Sequence, residues 1–364
     1  MKPGVLSPRA DLDDPASYRG LDPIGMLGFA VNFPGQVAEA ARIGARFSDY
    51  ERLRDPRLVV ISGMGGSAAV GDFLARLCEG RARVPFLVNR SYDIPACVGP
   101  ETLFIASSHS GDTEETLAAA KLAVRRRARV LCITTGGELA ALAKRRKLPL
   151  ISIPQFTPKM PPRAALGYSL IPLVPVLGAL ELYSAARAEL QEARRVIGKL
   201  RDRLHPRVPL SRNPAKQLAH GLFGKLPWVH GTAGIMSAAA YRWRCQFNEN
   251  SKVLAYSAEY PELNHNEVVG WELPRELAER LAVVVLRRPE EPPRLAARLA
   301  VTREMMAGRA PLYEVVAEGR RPLAQLLGIS YFADFVSIYL AFLNGVDPAS
   351  ICNIVKLKQH LASL

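Results

Sequence analysis

Cysteine is scarce and scattered in this chain of 364 residues. Cys78, Cys97, Cys132, Cys245 and Cys352 are odd in number, far apart and never in a C-x-x-C pair. That argues against a zinc site or a disulfide framework, and it sets a cytoplasmic location as the expectation. No apolar run reaches the roughly 20 residues that a bilayer demands. The longest, 169–183 and 331–343, are interrupted by Pro172, Pro175 and Asp334, and both read as buried helices. Met1–Pro23 lacks the apolar core of a secretory signal. The basic runs Arg125–Arg127 and Lys144–Lys147 have no interleaved aromatics and no helix-turn-helix pattern beside them. The formal charge of +14 therefore fits attraction of a small anion better than nucleic-acid binding, because those runs close predicted helices where cations complement the dipole.

What is present alternates. Strands are expected at 58–62, 84–89, 103–107, 130–134 and 150–153, with helices at 67–78, 114–127 and 138–147 between them. Short apolar strands separated by helices predict a parallel sheet covered on both faces, with ligands at the carboxyl ends of its strands. A Pro-rich connector, 155–163, then leads to a helical stretch, 164–203, broken near Ala185. A second alternation follows, with strand candidates at 226–231, 253–256, 281–287 and 312–316 and helices at 235–248 and 293–307. Its Val229-His-Gly-Thr-Ala-Gly echoes Val60-Ile-Ser-Gly-Met-Gly in the first half. Two helices, 323–343 and 348–361, end the chain, and an irregular arm with a helix at 35–48 begins it.

The stretch around which this order is arranged is Phe104–Thr116. A strand opens through Ser107, Ser108, Ser110 and Gly111 into a helix that starts with Glu114 and Glu115. Free N–H groups of a first helical turn, with hydroxyls beside them, form an anion site. Either Thr113 or Asp112 can cap that helix. The plain alternative is a Ser-rich capped loop, yet three hydroxyls, Ser108, Ser110 and Thr113, exceed what capping needs.

The turn Gly63-x-Gly65-x-x-Ala68 also fits the dinucleotide fingerprint. That reading requires an acid at the end of the next strand, where Asn89-Arg90 stands instead. NAD is disfavoured, and an NADP-dependent oxidoreductase stays open through Arg90. Four further residues are ambiguous alone. Glu249 sits between two asparagines at a helix end. His265 lies in a polar loop, Arg163 follows two prolines, and Lys358 lies on the last helix. Each could be an ordinary solvated side chain.

Together the motifs resemble a family. Gly63-Met-Gly-Gly-Ser67, Ser108-His-Ser-Gly-Asp-Thr113, Thr134-Thr-Gly-Gly137, Pro162-Arg-Ala-Ala-Leu166, Phe247-Asn-Glu-Asn250, His265-Asn266 and Asp347-Pro…Lys358 stand in one order. It is the order of the archaeal-type bifunctional phosphoglucose/phosphomannose isomerases, members of the sugar isomerase (SIS) domain superfamily. The resemblance runs from about Leu58 to the C-terminus. It implies an α/β protein of two SIS domains, each an α/β/α sandwich around a five-stranded parallel sheet. The expected divisions are an arm (1–48), a first SIS domain (49–160), a helical connector (161–205), a second SIS domain (206–322) and C-terminal helices (323–364).

The resemblance further implies metal-independent interconversion of glucose 6-phosphate, and mannose 6-phosphate, with fructose 6-phosphate through a cis-enediolate. No cofactor is implied. Gly66, Ser67, Ser108, Ser110 and Thr113 would hold the phosphate. Glu249 would be the base, Arg163 the cation facing the enediolate, and His265 and Lys358 the ring-opening groups. A homodimer is implied, with His265 given across its interface, and neither nucleic acid nor membrane is a partner. Dual-activity members commonly carry a threonine where Ile351 stands here, next to Ser350. A non-catalytic SIS-type sugar-phosphate sensor is the alternative, although 1–56 is too irregular for the helix-turn-helix domain such sensors usually carry.

Overall fold

A computed structural model describes residues 6–156, 158–361 and 363. Five parallel strands form the first sheet: β1 (Leu58–Ser62), β2 (Phe86–Asn89), β3 (Thr102–Ser107), β4 (Arg129–Thr134) and β5 (Leu150–Ser152). Their order is β2-β1-β3-β4-β5. β3 is buried along its whole length, which is why its sequence is apolar without alternation. Helices α1 (Phe33–Ala45), α2 (Gly66–Cys78), α3 (Glu114–Arg125) and α4 (Gly137–Arg146) cover this sheet or lead into it. The chain leaves β1 toward β2 and returns past it to β3. The crevice between β1 and β3 is therefore the topological switch point, where α/β folds bind ligands.

The connector forms two short helices, Leu166–Leu170 and Leu173–Ala179, and then α5 (Ala186–Leu204). The break expected near Ala185 is a left-handed residue there, with φ of 59°. After α6 (Pro214–Leu222) comes a second parallel sheet, of β6 (Leu226–Thr232), β7 (Tyr256–Tyr260), β8 (Leu281–Arg287) and β9 (Leu312–Val316), in the order β7-β6-β8-β9. Helices α7 (Ile235–Gln246) and α8 (Pro293–Met306) belong to it. The order repeats that of the first four strands, so the echoed glycine turns mark a true structural duplication. The expected fifth strand is absent among the described residues: after β9 the chain enters α9 (Pro322–Leu343) instead. β7 also begins three residues later than expected, because Lys252 turns left-handed with φ of 54° and keeps the preceding segment out of the sheet.

α9 is the core of the molecule. It has 22 residues and is long and apolar enough to cross a membrane, more than the broken run 331–343 suggested, yet its apolar window is wholly buried in protein. Tyr331 Oη donates to the Ala30 carbonyl at 2.8 Å, Trp243 Nε1 to Ile329 at 3.0 Å and Tyr339 Oη to Leu204 at 2.8 Å. The N-terminal arm packs on this helix: Tyr18 stacks on Phe342 with centroids 4.5 Å apart, and Phe33 on Tyr331 at 4.9 Å. Such buried aromatic pairs contribute about 0.5–1.5 kcal/mol beyond their area. None of the residues of the last helix, α10 (Cys352–Leu361), is buried.

Candidate functional site

The N-termini of α2 and α3 open side by side at the carboxyl ends of β1 and β3. The segments touch: a Cβ on Gly63 would lie 2.9 Å from the Ser107 carbonyl. Between them lies the hydroxyl loop. Ser67 and Ser108 are buried, while Ser110, Thr113 and Gly66 are half-buried. Ser108 braces the loop from within. Its Oγ donates to Thr113 Oγ1 at 2.9 Å and accepts from Gly111 N at 3.1 Å. Gly111 has φ of 83°, and a side chain there would run into the Gly136 carbonyl.

Neither expected cap forms on α3. Thr113 is its N-cap residue but makes no side-chain cap bond. Asp112 accepts instead from Glu138 N at 2.9 Å, capping α4. The first turn of α3 is thus left with its N–H groups free of side-chain acceptors, as an anion site requires. Sequence reading passed over His109. Its imidazole is buried, its Nδ1 has no hydrogen-bond partner among the described residues, and burial pushes its pKa down, so the ring is neutral near pH 7. It lines a cavity of about 320 Å³ with Ser110, Thr135, Gln155 and Lys159.

The backbone that carries Arg163 lies against the N-terminus of α2. A Cβ on Gly66 would sit 3.3 Å from Pro162 O and 3.4 Å from Arg163 N, so glycine permits the approach of the two backbones. The Arg163 side chain is only 2% exposed. Its Nε donates to Asn250 Oδ1 at 2.6 Å, its Nη2 to Pro348 O at 2.5 Å and to Ala349 O at 3.0 Å, and its Nη1 meets Glu249 Oε2 at 3.4 Å. Burial draws its pKa down, against the pull of the Glu249 and Asp347 charges. A guanidinium nevertheless keeps its proton in proteins.

Glu249 stands on a π-helical turn, Phe247–Ser251, that ends α7. Such wide turns recur at functional sites because they re-aim a side chain. Here Asn250 Nδ2 donates to Ser337 Oγ at 2.9 Å and Ser251 Oγ to Ser337 O at 2.7 Å. Those bonds pin the turn to α9 and leave the Glu249 carboxylate half-open beside Arg163. The expected base and cation thus meet across 86 residues of sequence.

Sequence reading also missed Lys252. Its Nζ donates to the carbonyls of Glu249 at 2.8 Å, Asn250 at 3.4 Å and Asp347 at 2.5 Å. Desolvation, and then the Arg163 charge, lower its pKa to about 8. Limiting acetic anhydride at pH 8 should therefore acetylate Lys252 ahead of ordinary lysines, with a rate that reaches half its plateau near pH 8. A half-point above pH 10 would refute the assignment.

His265 and Lys358 are not brought here. Both are exposed and make no side-chain hydrogen bond or ion pair among the described residues. β7 starts beside Asn248, where Ala255 N donates to Asn248 Oδ1 at 3.1 Å, and carries His265 away by the length of its five residues, about 15 Å. A cleft of about 810 Å³ between α2, β2 and α7 includes none of the expected site residues. Arg90, the residue needed for an NADP phosphate, is bound there to Asp72 and lies over the Tyr241 ring.

Comparison with known proteins identifies relatives of the chain. Residues 52–155 match the SIS domain, and 211–361 match the bacterial phospho-glucose isomerase C-terminal SIS domain. The chain is 39% identical over 92% of its length, and 98% of the relative's, to a bifunctional phosphoglucose/phosphomannose isomerase of Caldicellulosiruptor bescii. It is 32% identical over 83% of its length, and 90% of the relative's, to the Aquifex aeolicus protein of the same name. A hypothetical protein from Thermus thermophilus superposes with a TM-score of 0.71 over 96% of this chain and 92% of that one, at 20% identity, which speaks for the fold alone. A chain with both SIS domains, covering nearly all of a relative at 39% identity, belongs to the bifunctional phosphoglucose/phosphomannose isomerase family.

Proposed function

We propose that the protein interconverts glucose 6-phosphate, and more slowly mannose 6-phosphate, with fructose 6-phosphate. The observation that carries this reading is the pairing of Glu249 with the buried Arg163 at 3.4 Å, next to an open pair of helix N-termini. Aldose–ketose isomerisation moves one proton between neighbouring carbons. A single half-open carboxylate suffices for that, taking the proton from C2 and returning it to C1. The oxygen that becomes negative needs a fixed positive group, and Arg163 is the nearest. Gly66, Ser67, Ser110 and Thr113 hold the phosphate, with Ser108 bracing their loop. Anchoring the dianion there keeps the open-chain sugar in place.

Ring opening falls to His265 and Lys358, with His265 supplied by a second copy of the chain. Two observations support the dimer. His265 is exposed, and β7 separates it along the chain from the π turn that carries Glu249. The ten residues of α10 bury nothing, while Val355 is 44%, Leu357 58% and Leu361 45% exposed. A helix of that length is marginal alone in water, so its apolar face calls for a partner. The cytoplasm is the compartment we assign to such a sugar-phosphate enzyme.

The reading is tested by a coupled assay for fructose 6-phosphate, started from each aldose with EDTA present. Glucose 6-phosphate should react. Mannose 6-phosphate should react at least about tenfold more slowly, because Ile351 offers no hydroxyl to the inverted epimer. No product from either sugar, with binding still measurable, would favour the sensor.

A further inference from the structure

We infer that Gln36, on the N-terminal helix α1, is a positioning residue for Arg163, so that the arm serves the reaction without touching the substrate. The inference rests on the isomerase reading above. Gln36 is 2% exposed, and its amide is fully used. Oε1 accepts from Gly167 N at 2.6 Å and Tyr168 N at 3.3 Å, and Nε2 donates to Ala164 O at 2.9 Å. One side chain thus holds the exit of the 3₁₀ turn Pro162–Ala164, which carries Arg163. A Cβ on Gly167 would lie 2.6 Å from Oε1, so glycine is what lets the amide reach the backbone. One turn along α1, Glu39 accepts from Tyr168 Oη and fixes the same segment.

The other side of the turn is fixed from the second domain, where Arg242 Nη2 donates to the Arg163 carbonyl at 3.0 Å. Arg163 is therefore clamped between the arm and α7. Its guanidinium meets Asn250, Glu249 and the 348–349 carbonyls only while both clamps hold. A displacement of about 1 Å at a reacting centre can cost about 100-fold in rate, and Gln36 governs the one backbone segment that sets this cation.

The test compares steady-state kinetics of Gln36→Leu and Gln36→Glu with the wild type, per mole of folded enzyme. Gln36→Leu removes donor and acceptor at similar size. Its kcat should fall about 10- to 100-fold, while KM moves less than about threefold, because the phosphate loop lies on other elements. Gln36→Glu keeps the acceptor for Gly167 and Tyr168 and should fall between the two. Should Gln36→Leu not fold, the milder variant decides by the same split. A role confined to stability would lower the folded fraction and leave kcat per folded molecule unchanged; a kcat within twofold of wild type in a folded variant overturns the inference. An inactive wild type would instead overturn the isomerase reading, so the two failures are separate.

Discussion

Glu249→Gln should lower kcat by about 10²- to 10⁴-fold and leave the affinity for fructose 6-phosphate within about threefold. The substitution is nearly isosteric, and the π turn does not depend on the carboxylate. Asn250 and Ser251 hold that turn to Ser337, and Lys252 grips the Glu249 carbonyl rather than its side chain. Arg163 keeps Asn250 Oδ1 and two carbonyls as acceptors. What disappears is the only proton acceptor at this position, since an amide cannot take a proton from carbon near neutrality. Proton exchange between substrate and solvent should stop with isomerisation, whereas calorimetric binding of the sugar phosphate persists. Turnover within tenfold of wild type would assign the base elsewhere, with the neutral His109 next in line.

How much of this was legible in the sequence follows from distance along the chain. The strands of the first sheet announced themselves because each is a short apolar run closed by a turn, and β1 falls on 58–62 as expected. The hydroxyl loop was legible for the same local reason. Its detail was not: Asp112 caps a helix that starts 25 residues later rather than the adjacent one, a choice that only the meeting of the Gly111–Asp112 and Gly136–Gly137 turns makes. Arg163 and Glu249 could be named through motifs, but no periodicity brings residues 86 apart to 3.4 Å. Lys252 was hidden altogether, because nothing in a sequence marks three carbonyls converging on one amine.

The second sheet shows the reverse. Four strand candidates could be read there, and four strands are found among the described residues; the fifth came only from resemblance. Gln36 was invisible for a different reason. An internal glutamine on an amphipathic helix reads as a polar blemish until its partners on the Arg163 turn are known.

Asp334→Ala should destabilise the chain by about 3–5 kcal/mol, the usual cost of breaking a buried ion pair from one side. Asp334 is a carboxylate in the middle of the apolar helix α9. Its Oδ1 accepts from Arg242 Nη2 at 2.9 Å and from Gln246 Nε2 at 2.5 Å. Burial raises its pKa, and the Arg242 charge opposes that rise. Arg242 is itself 2% exposed, and its Nε already lacks a partner among the described residues, so losing Asp334 would strand a buried cation. The same guanidinium holds the Arg163 carbonyl, which joins the core pair to the site. The destabilised variant should therefore also lose activity at temperatures where it remains folded. The double substitution Asp334→Leu with Arg242→Met should recover most of the stability, because no charge is left to strand. It should not recover kcat, because the clamp on Arg163 is gone. Urea midpoints and kcat measured on the same three proteins decide the matter: stability and activity returning together in the double variant would show that the buried pair serves folding alone.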